Sequence, residues 1–517
     1  SFIGGGQTNT IDSNSTLSTI AGGLSNQTQS SYGFVGGGKS NTVFEGDYHT
    51  IGGGQNNIAG NNGGTDSHAT IGGGFDNYAR ASYSTIAGGN NNEINDVAAD
   101  YGFIGGGLSN RITTNTYATV AGGNSNTASG AQSSVVGGNA NNASGDDSFI
   151  GGGNGNTSGG SQSTVSGGSS NEALGVHSTV SGGFTNRATV DFATVGGGDT
   201  NTASSEHSTV AGGDTNIAST GTHTSIGGGY LNTASGQYSV IAGGHDNEAT
   251  AQYATVGGGK SNNATEIRSV IAGGINNRAT GSRSTVGGGD TVKAINDYAT
   301  ASGGRSNTAS GQYSFIGGGF SHEANASFAT IGGGNNHTVS GERATVSGGH
   351  NNTASADYSS IAGGSECLAD KYGQFSHASG KFVSNGDAQY ARYILRRNTT
   401  DATANQELFL NGVNSRITIP EDTAYQFHIY IISIKQTGDK AKSSEITGLI
   451  RRANGGNATI VAQHTDTNKT FEDASFSPSY TVSADTSNQA LKIDVTGLAT
   501  TNINHVARVD ITEVKYA

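Results

Sequence analysis

Residues 238–266 read YSVIAGGHDNEATAQYATVGGGKSNNATE, and the fold follows from them. One pattern occurs there twice, as Tyr-Ser-Val-Ile-Ala-Gly-Gly from Tyr238 and as Tyr-Ala-Thr-Val-Gly-Gly-Gly from Tyr253, 15 residues on. Outward from this pair, a triplet ending in Gly-Gly starts at Gly4, Ala21, Gly36, Gly52, Gly72, Ala87, Gly105 and Ala121. It then recurs every 15 residues to Ala362, apart from one step of 16 into Gly227, giving 24 copies. The consensus is Tyr-Ser-Thr-Val-Ala-Gly-Gly-x-x-Asn-x-Ala-Ser-Gly-x. With 86 Gly and 13% charged residues the composition alone would allow disorder, but disorder places no demand on spacing. A period held for hundreds of residues marks a solenoid of stacked coils.

Each slot has a mechanical reading. Val or Ile precedes every triplet except at Ala301, as an inward ladder of β-branched side chains requires. The Gly pairs supply positive φ or close backbone approach at corners. Asn stands five positions after each triplet start except at Val292, His322, His337 and Cys367. It is expected to take the left-handed corner, bond its own turn and stack into a ladder. Ala two residues later makes a thin second inward slot. Two short strands and two turns fit such a coil, which predicts an all-β, flattened, two-sided parallel β-roll. One Val or Ile and one Ala per coil bury little. At about 25 cal/mol per Å² they hardly offset ordering a coil at about 1–2 kcal/mol per residue. Several rolls sharing a core along one axis is the natural remedy.

These units resemble the head repeats of trimeric autotransporter adhesins, with their Ser-Val-Ala-Ile-Gly and Ala-x-Gly steps. The resemblance covers roughly residues 1–370 and departs by one extra residue per coil. It implies a left-handed roll and a homotrimer. The irregular early spacers, NNGGTDSHAT at 61–70 and NEINDVAADYGF at 92–103, are expected as surface loops, either harmless insertions or lateral contacts.

After Gly364 the pattern changes. The parsing is a β-roll shaft of 24 coils over 1–364, a neck over 365–401 and a β-sandwich or jelly-roll over 402–517. In the neck, Lys371, Lys381, Arg392, Arg396 and Arg397 interleave with Tyr372, Phe375, Phe382, Tyr390 and Tyr393. They read as axial aromatics and interchain ion pairs. Beyond it strands alternate: Tyr425, Phe427, Ile429 and Ile431 share one face, as do Leu491, Ile493 and Val495, and Ala507, Val509 and Ile511. The stretches GDAQYARYILRRNTTDAT, ELFLNG, SRITIPEDTAYQFHIYIISIKQTGD and VARVDITEVKYA, spanning roughly 386–517, resemble the C-terminal domain of bacteriophage tail fibres.

That resemblance implies a trimeric virion fibre whose tip adsorbs to a host surface receptor, a glycan or outer-membrane component. Other tail or baseplate proteins would hold it through an N-terminal region outside the sequence, which opens in mid-repeat without Met. The alternative is a bacterial trimeric surface adhesin; a polysaccharide depolymerase or an ice-binding protein is a weaker reading. The net charge of −13 argues against nucleic acid. No stretch approaches the roughly 20 apolar residues of a membrane helix, so no insertion is expected. Catalytic templates are missing: no Gly-x-Ser-x-Gly runs from strand into helix, and acidic residues scatter over variable positions. The expectation is a non-enzymatic protein without cofactor or metal. His322 and His337 read as Asn replacements or as an axial ion ring, and Cys367 as an inert buried thiol. Receptor contacts are expected on inter-strand loops, at Lys440 and Lys442, at Arg451, Arg452 and Asn454, and at Phe471, Asp473 and Phe476. Aromatics beside polar groups there suit sugar rings.

Overall fold

The computed structural model describes residues 1–95, 98–472 and 475–516, the side chains of 467–472 apart. It divides into two units, Ser1–Ser261 and Asn262–Ala517. Among the described residues every regular element is a strand.

In the first unit each coil supplies two short strands, as in Thr179–Val180 and Arg187–Ala188, which pair in parallel with Thr194–Val195 and Thr202–Ala203 of the next coil. Val180 and Ala188 are fully buried, as are their counterparts along the stack from Ile20 and Thr28 on. This is the expected parallel β-roll of about 15-residue coils. A third ladder joins the coils at the corner, through single-residue parallel bridges such as Phe184 with Asp199; the two-sided reading did not include it. Close stacking demands Gly there. At Gly168, φ is +88° and a Cβ would stand 2.2 Å from the Gly183 carbonyl oxygen.

The Asn slot works differently from expectation. The left-handed residue is its predecessor, for example Thr185 at φ 56°, not Asn186. Asn186 is buried. Its Nδ2 donates to Gly182 O at 2.9 Å and Gly198 O at 2.8 Å, and its Oδ1 accepts the Asn201 backbone N–H at 3.0 Å. The amide thus satisfies peptide groups that the corner leaves unpaired.

The second unit opens with coils of the same kind, from Asn263–Ala264 to Leu368–Ala369. Beyond them we number β1 (Phe375–Ser379), β2 (Ala388–Thr399), β3 (Gln406–Glu407), β4 (Ile417–Thr418), β5 (Thr423–Lys435), β6 (Ala441–Arg452), β7 (Thr459–Glu472), β8 (Ser479–Asp485), β9 (Ala490–Thr496) and β10 (Ile503–Lys515). β1 pairs in parallel with the last coil strand, Ser360–Ser365, and antiparallel with β2. One sheet runs β1-β2-β10-β5-β6-β7, antiparallel throughout. The other has β8 on one edge of β9, and β3 and β4 on its other edge. Between the sheets lie Tyr393, Tyr425, Phe427, Ile429, Ile493 and Val509, so the three sequence-read faces point into one core.

β2, read as neck, pairs with β10 over its whole length. Alternation explains its side chains: Tyr393 and Leu395 point into the core, while Arg392 faces outward. Three of the neck charges pair within the chain, Arg392 with Asp510 at 2.7 Å, Lys371 with Asp370 at 2.7 Å and Lys381 with Glu366 at 3.1 Å.

Candidate functional site

The loop residues expected at a receptor are not brought together. Lys440 and Lys442 lie at one end of β6, and Arg451, Arg452 and Asn454 at the other. Eight strand residues, Ser443 to Ile450, separate Lys442 from Arg451, roughly 30 Å at about 3.4 Å per residue. Lys440 Nζ donates to Ser475 Oγ, and Lys442 Nζ stands 5.4 Å from the Tyr480 ring centre. Arg452 bonds Glu421 at 2.9 Å and Gly456 O at 3.0 Å. Arg451 and Asn454 are exposed. Phe476 is 1% exposed, a core side chain out of reach of any receptor. Asp473 and the side chain of Phe471 lie outside the described residues.

The outer face of the first sheet gathers a cluster that no motif marked. Register sets Asp510 between Arg392 and His428, and Tyr430 between Arg508 and Glu445. Arg392 Nε and the Tyr390 hydroxyl both donate to Asp510, at 2.7 and 2.9 Å. Burial opposes ionisation of Asp510, but these bonds outweigh it and hold its carboxyl below the ordinary value. The Arg508 guanidinium lies 4.0 Å over the Tyr430 ring. Tyr430 OH meets His428 Nδ1 at 3.0 Å, and His428 Nε2 contacts Glu445 Oε1. With the carboxylate accepting from Nε2, Nδ1 is left to accept the phenol proton. Tyr430, Ile432, Ser443, Glu445, Val506 and Arg508 line an open hollow of about 360 Å³. A cation, a phenol and a carboxylate facing one hollow suit a ligand rich in hydroxyl or acidic groups.

Sequence reading also missed a surface feature of the coils. The consensus Tyr, one coil corner before each Val or Ile, sits in the left-handed region, as at Tyr32 (φ 58°), Tyr83 (55°) and Tyr117 (60°). Its ring stacks on that of the next coil. Tyr32, Tyr48, His68, Tyr83, Tyr101 and Tyr117 follow one another at centroid spacings of 4.5, 4.9, 4.7, 4.9 and 4.8 Å. A second column runs from His177 through Phe192, His207, His223 and Tyr238 to Tyr253. In the other unit Tyr298, Tyr313 and Phe328 stack, with Arg343 lying between Phe328 and Tyr358. The signal was there: planar side chains recur at the coil period.

His322 and His337 replace Asn in the ladder. They are buried and stacked at 4.9 Å, and each Nδ1 accepts a backbone N–H, of His337 and of Asn352, as Asn Oδ1 does elsewhere. Cys367, also buried, donates its thiol to Gln389 Oε1 at 3.4 Å, and burial pushes its pKa up to about 12.

A family model described as the ubiquitous surface protein adhesin repeat matches residues 178–189 and 208–220. No curated protein matches the chain. Similar solved structures include the tailspike protein gp49 from Acinetobacter baumannii bacteriophage Fri1, a capsular polysaccharide depolymerase, at 9% identity and TM-score 0.20, covering 95% of this chain and 80% of that one. The tailspike protein of Acinetobacter phage vB_ApiP_P1 is similar at 9% identity and TM-score 0.19, over 87% and 82% of the two chains. At these values the likenesses assign no residue and no substrate. They do correct one expectation: with a depolymerase among the neighbours, the reading of the chain as non-enzymatic is withdrawn.

Proposed function

We propose that the chain is an extracellular attachment fibre, its coils a spacer and its terminal sandwich the end that meets a cell-surface glycan. The observation that carries this reading is the Tyr430–Arg508–Glu445 hollow, built from three strands of one sheet rather than from mobile loops. The coils suit a spacer because every inward slot repeats and each coil leans only on its neighbours. The finer reading is a homotrimeric phage tail fibre, supported by the resemblance carried on residues 386–517. A bacterial surface adhesin is the second reading, favoured by the adhesin-repeat match at 178–189 and 208–220.

The test is binding of the full chain to bacteria with and without their surface polysaccharide. Stripping the polysaccharide should abolish binding, and Arg508→Ala should weaken it about tenfold, the scale of one charge-assisted contact. Binding indifferent to both changes overturns the reading. Antibodies against the chain that label virions favour the tail fibre; label on a bacterial envelope favours the adhesin.

A further inference from the structure

From Leu17 to Tyr358 every coil places one residue of the corner slot at φ between 55° and 63°, and all but Leu17 carry a planar group: Tyr, Phe, His, Arg, Gln or Asp. In the first unit the rings are interrupted once, by Gln132, Asp147 and Gln162. The column ending at Tyr117 and the one beginning at His177 therefore face each other across four coil steps, about 19 Å at about 4.8 Å per coil. Tyr117 is 55% exposed, more than any other tyrosine of the columns, and a ring covers only one of its faces.

The fold does not force this gap. Gln132, Asp147 and Gln162 have the same backbone conformation as slots that hold tyrosine, such as Tyr83 at φ 55° and Tyr238 at 57°. Among the described residues their side chains make no hydrogen bond within the chain, whereas Gln252 Nε2, in the neighbouring slot of a later coil, donates to Gln237 Oε1 at 3.0 Å. Ala131 and Ser161 keep the flank low, and Phe149, 39% exposed, stands two residues from Asp147. Two exposed amides and an exposed carboxylate thus occupy the surface stretch between the rings of Tyr117 and His177. From 112 to 186 the chain has no Lys or Arg, while Asp146, Asp147 and Glu172 are acidic.

We infer that this stretch is a second glycan-binding site, for neutral or amino sugars. The C–H face of a pyranose stacks on the uncovered face of Tyr117, and Gln132, Asp147 and Gln162 hold its hydroxyl or amino groups. The missing cations and the carboxylates exclude hexuronates. The site is independent of the terminal hollow, and Arg508→Ala should leave it untouched.

The experiment is titration calorimetry of the full chain with chito-oligosaccharide, its de-acetylated form and oligogalacturonate. Binding of the first two and not the third is expected. Tyr117→Ala should weaken it about tenfold, the lower range of a lost stacking and burial contact. The triple variant Gln132→Tyr, Asp147→Tyr, Gln162→Tyr closes the gap with rings. It should raise the melting temperature of the unit or leave it unchanged, and abolish sugar binding. Misfolding therefore cannot account for that loss. No binding of any oligosaccharide at millimolar concentration, equal binding of the galacturonate, or undiminished binding by the triple variant overturns the inference.

Discussion

A coil of the roll keeps three small side chains in its core, such as Ala193, Val195 and Ala203, whereas the terminal sandwich packs Tyr393, Tyr425, Phe427 and Ile429 into one. The coil compensates with polar order. The buried Asn186 alone makes three hydrogen bonds, two within reach of its own turn and the next, one to the following Asn. Polar ladders of this kind are local, each coil answering to its neighbours, while a sandwich core is shared by strands far apart in sequence. The difference teaches where variation is free. Outward slots of a coil carry no core, so the corner slot can change from Tyr to Gln without disturbing the stack. On the sandwich only every second residue of β2, β5, β6 and β10 has that freedom.

The largest effect is expected in the sandwich. Phe427→Ala should cost about 3–5 kcal/mol, as for other large aromatic deletions from cores, and denaturant melting should show the terminal region unfolding as one. In the coils the comparable lesion is Asn171→Ala. It removes the 2.9 Å bonds of the amide to Gly167 O, to Gly183 O and from the Asn186 N–H. Loss of about 2–3 kcal/mol is expected from buried partners left unpaired. Hydrogen exchange should confine it to adjacent coils; exchange accelerated through the whole unit would break the comparison. The reverse change sharpens it. Val292 receives the ladder from Asn277 Oδ1 at 2.8 Å but has no acceptor to pass on to Asn307. Val292→Asn should restore the chain and stabilise by about 1 kcal/mol.

How much of this was legible follows from what repetition reports. The coil, its inward Val and Ala ladders and its Asn ladder were readable because any slot facing the core must repeat. The three inner faces of the sandwich were readable because period-two alternation shows at Tyr425, Leu491 and Ala507. The corner conformation was misplaced by one residue, since Asn has two uses in turns, a left-handed backbone and a bonding amide, and sequence does not choose between them. β2 was read as a neck because its alternation mixes arginines with tyrosines. The outer-face cluster was invisible: Arg392, His428, Glu445, Arg508 and Asp510 come from four strands, and only their register unites them. The separation of the expected loop contacts was unreadable for a related reason, because a strand as long as β6 carries its two ends far apart.

Acid separates the histidine coils from the asparagine coils. Burial lowers the pKa of His337 to about 4, with His322 adding to the effect, and burial lowers that of His322 too. The geometry agrees, since each Nδ1 is committed to a backbone N–H and a proton there would face another. The folded state then binds fewer protons than the unfolded one between the ordinary histidine value and about pH 4. Stability contributed by the neutral pair is therefore present at neutral pH and falls as pH drops through that window. His337→Asn with His322→Asn should flatten the decline, measured as melting temperature between pH 7 and 4. An unchanged slope would mean that the pair titrates as in solution, and the Asn and His ladders would be equivalent.

The smallest effect tests whether the aromatic columns hold the coils or merely ride on them. Tyr83 lies between His68 at 4.7 Å and Tyr101 at 4.9 Å, at φ 55°. An L-residue in that region costs about 1–2 kcal/mol, and each stacked pair returns about 0.5–1.5 kcal/mol. Tyr83→Ala keeps the strain and loses both pairs, so about 1–3 kcal/mol of stability should go. Tyr83→Gly loses the same pairs but removes the strain, and the net change should be within about 1 kcal/mol. The gap between the two variants reads the backbone strain alone, because both remove the same ring. If glycine proves no better than alanine, the corner is unstrained and planar side chains would be there for their surface rather than for the fold. If glycine is better, stacking is what lets so many bulky residues occupy a conformation made for glycine, and a coil without a ring, like that of Gln132, gives up stability for an open surface.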